Sequence, residues 1–472
     1  MEQLSHQFDQ DCKHFNQVLG VGRNYDLISR DLCIGGRKAR IWVLDGYGDD
    51  SVLERMNAFW LSLQPQQVQD ITDMQTFIDR FVTFSEVNTS SDPEDIVTSV
   101  LMGKTLLLVE NIPEAALIDA KQYPARGVEE PADGKVLRGS HDGFVETLLH
   151  NTALIRRRIR DPHLTMESHK VGGRSKTDIV LCYLDDRVDK KLLEQVRQKV
   201  THLDVNSVSM SHESVAEAMM SRQWFNPFPK VRYTERPDVA TASVMEGNLL
   251  LLVDNSPAVM LLPTTFFDFM QEANDYYFPP LIGSYLRMVR MLVFFLSLII
   301  TPLWYLLASY PGTIPPWLEF LLVKEESGVP LLLQLLIVEF LVDLLKLASL
   351  NTPDSLSNSF SMLGALILGD FAVQARWLVP EVLVYMAFVS IATFAQPSFE
   401  LGYAFKLQRM LLLIFIAVLE WWGFVIGLVL SILLLATTKP IAGKGYLYPL
   451  IPFNPSALRR LLTRVPISRD NT

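Results

Sequence analysis

Three ionisable side chains interrupt an apolar stretch in the second half of the chain. Glu339, Asp343 and Lys346 follow one another at spacings of four and three residues within residues 331–350. On a helix of 3.6 residues per turn they lie within about 60° of one another and form one polar stripe. Carboxylates in such a stripe favour cations along an aqueous path. Two other interpretations stay open: an amphipathic helix in the membrane interface, and an internal pair of Asp343 with Lys346.

A second stripe, made of small side chains, follows within residues 355–379. Its members are Ser357, Ser361, Gly364, Ala365 and Gly369. Small side chains let another helix approach closely, so this stripe predicts helix packing, around a pore if several copies share an axis. Asp370 follows the stripe and is a third candidate for selecting ions. The alternative for Asp370 and Arg376 is that their side chains reach out to the headgroups.

Apolar helices must position these side chains. Residues 291–310 carry no charge over about 20 residues, which is enough to cross a hydrocarbon core of about 30 Å. Residues 410–438 form a longer apolar stretch, interrupted only by Glu420, and predict a second long membrane helix. Residues 331–350, 355–379 and 381–395 are apolar but shorter or more polar. We therefore predict a membrane domain over residues 286–440 with four to five helical segments, and a basic tail over residues 441–472.

The charges flanking the first apolar stretch predict its orientation. Arg287 and Arg290 precede it, whereas the loop after it holds mainly acidic side chains. The positive-inside rule then places the N-terminal half in the cytoplasm. No apolar signal-peptide core is present in the first thirty residues. The basic tail also prefers the inside, which requires an even number of crossings, so one of about five apolar stretches is expected not to cross fully.

The first half of the chain has an α/β pattern. Strands are predicted at residues 39–44 and 178–184, each followed by a helical stretch, at residues 51–63 and 189–200. Residues 103–113 and 247–257 share Gly, three Leu, Val, Asn and Pro at matching positions, which indicates an internal duplication. The predicted fold is a two-lobed α/β cytoplasmic domain, with lobes over residues 1–125 and 135–285, followed by an α-helical multi-pass membrane domain.

Composition and motifs argue against several classes of function. The first 285 residues hold 41 acidic and 29 basic side chains, which makes nucleic acid an unsuitable partner. The histidines and cysteines lack metal-ligand spacing, and no nucleophile elbow is present, so neither a metal, nor a cofactor, nor an enzyme activity is expected. Residues 172–177 suggest a basic turn before a strand rather than a phosphate loop. The basic run at residues 156–160 is typical of a solvated helix face or one turned to anionic lipid.

Several segments taken together resemble the spore germination proteins of the GerA family, specifically their A-type subunits. They lie at residues 143–148, 151–159, 173–177, 227–229, 234–238, 246–247, 275–276 and 452–454. Residues 349–353 read Ser-Leu-Asn-Thr-Pro, where nutrient-receptor A subunits tend to carry an Arg-Leu-Pro type sequence. Residues 138–143 also lack the Gly-Pro that often precedes Gly-Phe in the family. These departures argue against direct nutrient sensing and indicate a different branch.

The resemblance implies a location, an activity and partners. It implies a protein of the spore inner membrane, with its N-terminal domain on the spore-core side, that acts in exit from dormancy. It also implies assembly into an ion channel, as a homo-oligomer of five subunits, with monovalent cations as the ions. The branch suggested by the departures implies amplification of ion release with a small membrane partner subunit, FigP. Germination receptor subunits and SpoVA proteins are further implied partners. The rival reading is a non-conducting scaffold that assembles those receptors or the SpoVA channel.

Overall fold

The computed structural model describes residues 3–5, 7–121, 139–203, 205–220, 225–310, 312, 314, 316–324, 327–350, 371–443 and 445–463. Two α/β lobes form its first half, and long apolar helices form its second half.

The first lobe is a five-stranded antiparallel sheet covered by helices on both faces. Its sheet order is β1-β2-β4-β5-β3. The strands are β1 (Leu27–Ile34), β2 (Arg37–Leu44), β3 (Val87–Ser90), β4 (Thr105–Val109) and β5 (Ala115–Ile118). The helices are α1 (Phe8–Leu19), α2 (Asp50–Ser62), α3 (Pro65–Val68), α4 (Met74–Phe81) and α5 (Pro93–Leu101). Successive leucines of β4 alternate between two apolar cores, one under α2 and α4 and one under α1 and α5.

The second lobe has the same sheet order, β6-β7-β9-β10-β8. The strands are β6 (Leu164–Val171), β7 (Thr177–Leu184), β8 (Arg232–Thr234), β9 (Leu249–Val253) and β10 (Val259–Leu262). The helices are α6 (Leu148–Arg158), α7 (Lys190–Thr201), α8 (Ser211–Met219) and α9 (Pro237–Met245). The strands and helices predicted near residues 39–63 and 178–200 are confirmed to within a few residues. Residues 172–176 form the turn between β6 and β7, as predicted.

The two similar sequence segments occupy the same place in the two sheets, since they contain β4 and β9. Their shared glycines, Gly103 and Gly247, have φ of 96° and 91°. Their shared asparagines, Asn111 and Asn255, have φ of 64° and 61°. Both residue types tolerate this left-handed region better than other residues do. The matching backbone therefore gives a physical reason why Gly and Asn recur at these positions.

A buried ion pair joins the two lobes. The Arg156 guanidinium on α6 donates to both carboxylate oxygens of Asp26 in the first lobe, at 2.6 and 2.9 Å. The Tyr47 hydroxyl donates to the Ala153 carbonyl at 2.6 Å beside it. The prediction that the basic run is a solvated face is therefore wrong for Arg156, because its guanidinium reaches across to the other lobe rather than to solvent.

The second half of the chain is helical. The segment before it holds a 3₁₀ helix, Phe266–Met270, and α10 (Asn274–Tyr277). The apolar helices are α11 (Pro280–Ser309), α12 (Leu331–Leu350), α14 (Pro380–Phe394) and α15 (Phe399–Thr437). Shorter elements are a 3₁₀ helix, Pro316–Leu321, α13 (Ala372–Gln374) and α16 (Pro455–Leu462). Among the described residues, α11 and α15 are long and apolar enough to cross a membrane.

Helix α15 folds back on itself. Glu420 has non-helical dihedral angles, φ 54° and ψ −129°. After it the chain runs antiparallel to the first half of the helix, since the Ser431 hydroxyl lies 2.9 Å from Gln408 Oε1. A Cβ atom added at Gly423 would lie 2.0 Å from the Phe415 carbonyl oxygen. The prediction of one continuous helix over residues 410–438 is therefore wrong, because a glycine-faced hairpin of two helices forms there.

The apolar helices form one bundle, which has one end near the lobes and one end far from them. At the end near the lobes, Lys346 of α12 lies over the rings of Phe394 and Tyr403, at the end of α14 and the start of α15. At the far end, the Tyr310 hydroxyl after α11 bonds to the Glu420 carboxylate. Residue 438 thus returns to the end of the bundle at which the lobes lie.

Candidate functional site

Glu339 lies at the centre of a charged cluster between α12 and α15. Its oxygen Oε1 accepts a hydrogen bond from Arg409 Nε at 2.7 Å, and Arg409 Nη2 lies 2.6 Å from the same oxygen. The Lys406 ammonium lies 3.2 Å from its other oxygen and also donates to the Glu339 carbonyl at 2.8 Å. Arg409 further donates to the Ser297 carbonyl of α11 at 2.9 Å. Arg409 therefore joins three apolar helices, because it lies on α15 and binds both Glu339 of α12 and the Ser297 carbonyl of α11.

Asp343, one turn further along α12, is held less tightly. One of its oxygens lies 2.5 Å from the Lys406 ammonium. The other, Oδ1, is itself buried and makes no hydrogen bond to any described residue, although 30% of the side chain as a whole is exposed. We call Glu339, Asp343, Lys406 and Arg409 the α12–α15 cluster.

Helical spacing explains how the cluster forms. Glu339 and Asp343 are four residues apart on α12, and Lys406 and Arg409 are three apart on α15, so each pair lies on one face of its helix. Opposite charges then meet in an apolar setting, where a buried ion is stable only if it is paired and hydrogen-bonded. The four charges sum to zero. The internal pairing considered for Asp343 thus exists, but with Lys406 of another helix rather than with Lys346.

Several predicted site residues lie outside the described residues. These are Asp370 and the whole small-residue stripe, Ser357, Ser361, Gly364, Ala365 and Gly369. The pore-lining roles predicted for Glu339 and Asp343 stay predictions. Sequence reasoning missed Lys406 and Arg409, because they directly precede the apolar stretch at residue 410 and looked like its flank. The signal that could have found them is a basic pair at helical spacing, complementary to the acidic pair on α12.

A second charged group, which we call the junction, fastens the lobes to α11. Asp275 is fully buried, and the Arg290 guanidinium donates to both of its oxygens at 2.9 Å. Arg287 lies 3.5 Å from the same carboxylate. Arg287 also donates to the carbonyls of Arg460 and Leu461 in α16, at 3.2 and 3.1 Å. The two arginines used to predict orientation therefore also join the second lobe, α11 and the C-terminal segment.

The segment after α15 is built into the second lobe. Ile441 and Ala442 belong to the apolar core under α7 and α8. The Lys199 ammonium donates to the Ile441 carbonyl at 2.7 Å, and burial lowers the pKa of this lysine. The Tyr446 hydroxyl donates to the Pro229 carbonyl at 2.7 Å. The second lobe thus holds both the start of the helical half and its end.

Fold and charges define a class of protein: a paired α/β domain locked to a bundle of apolar, membrane-type helices with an internal ion cluster. In the ranges that the structure describes, no group of three or more His, Cys, Asp or Glu side chains could hold a metal ion.

Comparison with known proteins gives the family. The family model for the Bacillus/Clostridium GerA spore germination protein matches residues 13–472. Stage V sporulation protein AF of Bacillus subtilis (strain 168) is 35% identical over 452 residues, covering 96% of this chain and 91% of that protein. Spore germination protein KA of the same organism is 29% identical, covering 94% and 82% of the two chains. The chain therefore belongs to the GerA family of spore germination proteins.

Two further matches complete the comparison. Spore germination protein GerLA of Bacillus cereus is 28% identical, covering 92% of this chain and 88% of that protein. The crystal structure of the N-terminal domain of the A subunit of the Bacillus megaterium spore germinant receptor GerK3 covers 56% of this chain and 97% of its own, at 24% identity and a TM-score of 0.44. The family predicted from the sequence is confirmed, and the branch predicted within it agrees with the match to stage V sporulation protein AF. The names of these relatives support a role in germination.

Proposed function

We propose that this chain is a subunit of an oligomeric assembly that conducts monovalent cations across the spore inner membrane and so promotes or amplifies ion release during germination. The observation that supports it most is the α12–α15 cluster. Ionisable groups between apolar helices are costly and usually serve a function. Asp343 is the member with free capacity, because it keeps an exposed fraction and an oxygen that no described residue binds.

Aromatic side chains at the two ends of the helices support a multi-pass membrane placement. The end of the bundle far from the lobes, which includes the hairpin turn, carries three exposed tryptophans: Trp317, Trp377 and Trp422. Membrane proteins place belts of aromatic side chains at such ends, at the level of the lipid headgroups. Tyr285 and Tyr403 are exposed at the other end. The lobes and residues 441–443 and 445–446 lie at that second end, and the arginines at the start of α11 support placing it on the cytoplasmic side, the spore core.

Assembly supplies the pore in this proposal. Copies of the chain, five if they assemble as the family resemblance implies, pack around an axis through the small-residue stripe of residues 357–369. Glu339, Asp343 or Asp370 then gives the axis a cation-attracting field. A small membrane subunit such as FigP, germination receptor subunits and SpoVA proteins are the partners we propose for the assembly.

Potassium release from liposomes tests the proposal. Purified protein in potassium-loaded liposomes should release the ion faster than empty liposomes do. The Glu339→Ala, Asp343→Ala and Asp370→Ala variants show which carboxylates matter, since a residue whose loss leaves the conductance unchanged does not line the pore. Protein that inserts and assembles but releases no potassium contradicts conduction.

A non-conducting scaffold that assembles germination receptors or the SpoVA channel is the second candidate. It is favoured by the charge balance of the α12–α15 cluster, whose four charges already compensate one another within a single chain. Under this alternative, Gly364→Leu leaves ion release intact, whereas Ala365→Pro abolishes function only by destroying assembly. Channel function predicts instead that Gly364→Leu blocks ion release from assembled protein.

A further inference from the structure

An exposed apolar tip follows the segment that is buried in the second lobe. After Tyr446 the chain turns outward, and residues 450–453 read Leu-Ile-Pro-Phe. Ile451 and Phe453 are 62% and 68% exposed, and Leu450 is exposed beside them. Four consecutive apolar residues facing water are unfavourable, and such surfaces mark an interaction site.

The tip lies at the level where α11 enters its apolar section. Leu461 packs in the same apolar core as Met291 and Phe294 of α11. Arg287, one turn before Met291, binds the carbonyls of Arg460 and Leu461. Residues 448–462, which we call the C-terminal ledge, are therefore held at the boundary between the lobes and the apolar helices.

Basic side chains accompany the apolar tip. Helix α16 turns Leu461 inward and leaves Arg459 and Arg460 exposed. The sequence adds Arg464 and Arg469 just beyond. Apolar side chains next to exposed arginines are the features of segments that lie in the interface of an anionic membrane, where the negative surface attracts basic side chains.

We propose that the C-terminal ledge binds the anionic lipid surface of the leaflet that faces the lobes. Leu450, Ile451 and Phe453 insert among the headgroups, and Arg459 and Arg460 bind lipid phosphates. The inference rests on the membrane placement proposed above. A second copy of the chain fits less well, since the same face of that copy would bring its own arginines against these two.

The ledge has a consequence for the junction. Arg287 binds the backbone of the ledge and also Asp275, which anchors α11 to the second lobe. Lipid bound at Arg459 and Arg460 therefore steadies the three-way contact at which lobe, helix and tail meet. The negative charge of the leaflet thus acts on the position of α11.

Spin-label accessibility of the full-length protein in lipid nanodiscs tests this inference. Of the three cysteines, Cys33 is exposed and the other two are buried, so labels are placed in a Cys33→Ser background. Phe453→Cys reports on the tip, and Ile451→Cys repeats the measurement. Val425→Cys, exposed on the second half of α15, is the control for lipid contact, and Gln66→Cys in the first lobe is the control for water.

Oxygen and a water-soluble nickel chelate are the two relaxing agents. When the discs contain phosphatidylglycerol, we expect oxygen to relax the label at 453 more strongly than the nickel chelate does, as at 425. The ratio of oxygen relaxation to nickel relaxation at 453 should fall several-fold in discs of phosphatidylcholine alone. It should fall likewise in the double variant Arg459→Gln, Arg460→Gln. Nickel-dominated relaxation at 453 and 451, with oxygen still favoured at 425, overturns the ledge proposal alone. A label shielded from both agents indicates a protein partner and also overturns it. Water-like behaviour at 425 contradicts the membrane placement itself.

Discussion

At the junction the buried carboxylate of Asp275 accepts hydrogen bonds from two arginines, and Glu272 pairs with one of them, Arg290, at 2.7 Å. In the α12–α15 cluster two carboxylates are paired with one lysine and one arginine. Asp275 is fully buried, and both of its oxygens are bound. In the cluster, Glu339 is equally enclosed but Asp343 is not. The difference teaches that the junction is built to hold elements together, while the cluster combines a holding residue with one whose charge remains available.

The largest loss of stability is expected on breaking the pair of Glu339 and Arg409, which holds α12 to α15. Arg409→Ala leaves the buried Glu339 carboxylate without its guanidinium, and breaking a buried pair in this way costs about 3–5 kcal/mol. Thermal unfolding of the detergent-solubilised protein should show a correspondingly large loss. The matched control is the double variant Glu339→Leu, Arg409→Met, which removes both charges and should recover much of the stability. An Arg409→Ala protein as stable as the parent would show that the pair does not hold α12 to α15.

A smaller but clear effect is expected at the junction. Asp275→Asn keeps the shape of the side chain but removes the charge that Arg287 and Arg290 share, and hydrogen bonds to charged groups contribute about 1.5–3 kcal/mol. The contact between the second lobe and α11 should loosen while both lobes stay folded. Limited proteolysis around residues 271–280 measures this, with cleavage faster than in the parent. Asp31→Asn, at the ion pair with Arg40 in the first lobe, serves as control, and equal cleavage in Asp275→Asn and the parent would contradict the fastening role.

Lys199→Met tests whether Asp275 fastens the membrane half alone. The lysine donates to the Ile441 carbonyl and to the Met219 carbonyl, and losing such contacts costs about 1 kcal/mol. Methionine retains the apolar stem. Hydrogen exchange should rise at residues 438–443 and stay unchanged around Asp275. If exchange rises equally at both places, the two attachments form one unit.

Asp343→Asn is expected to have the smallest effect on stability. Its side chain is partly exposed and Lys406 keeps Glu339 as a partner, so the cost should stay below about 1 kcal/mol. Its effect should fall on ion release, since the variant removes the charge of a carboxylate that has one oxygen without a hydrogen-bond partner among the described residues. A large stability loss without any change in ion release would make Asp343 a second holding residue and remove the contrast with the junction.

The sequence predicted the helical half and the α/β lobes because those features follow from local periodicity. It also identified the segments that contain β4 and β9, whose glycine and asparagine share an unusual backbone. It could not predict the hairpin at Glu420, because two antiparallel apolar helices without a polar loop look like one long helix. Partners far apart in the sequence were missed for a similar reason. Arg156 finds Asp26 and Glu339 finds Arg409 only once the fold exists, and charge patterns along one segment do not show this.

Cation selectivity of the reconstituted protein tests the central claim most directly. The reversal potential under a potassium chloride gradient should indicate cation selectivity for the parent protein. It should move toward zero for Asp343→Asn and further for Asp343→Lys, while Asp275→Asn changes the amount of current and leaves the selectivity alone. Identical reversal potentials in the parent and both Asp343 variants, or no current from assembled parent protein, would contradict the account.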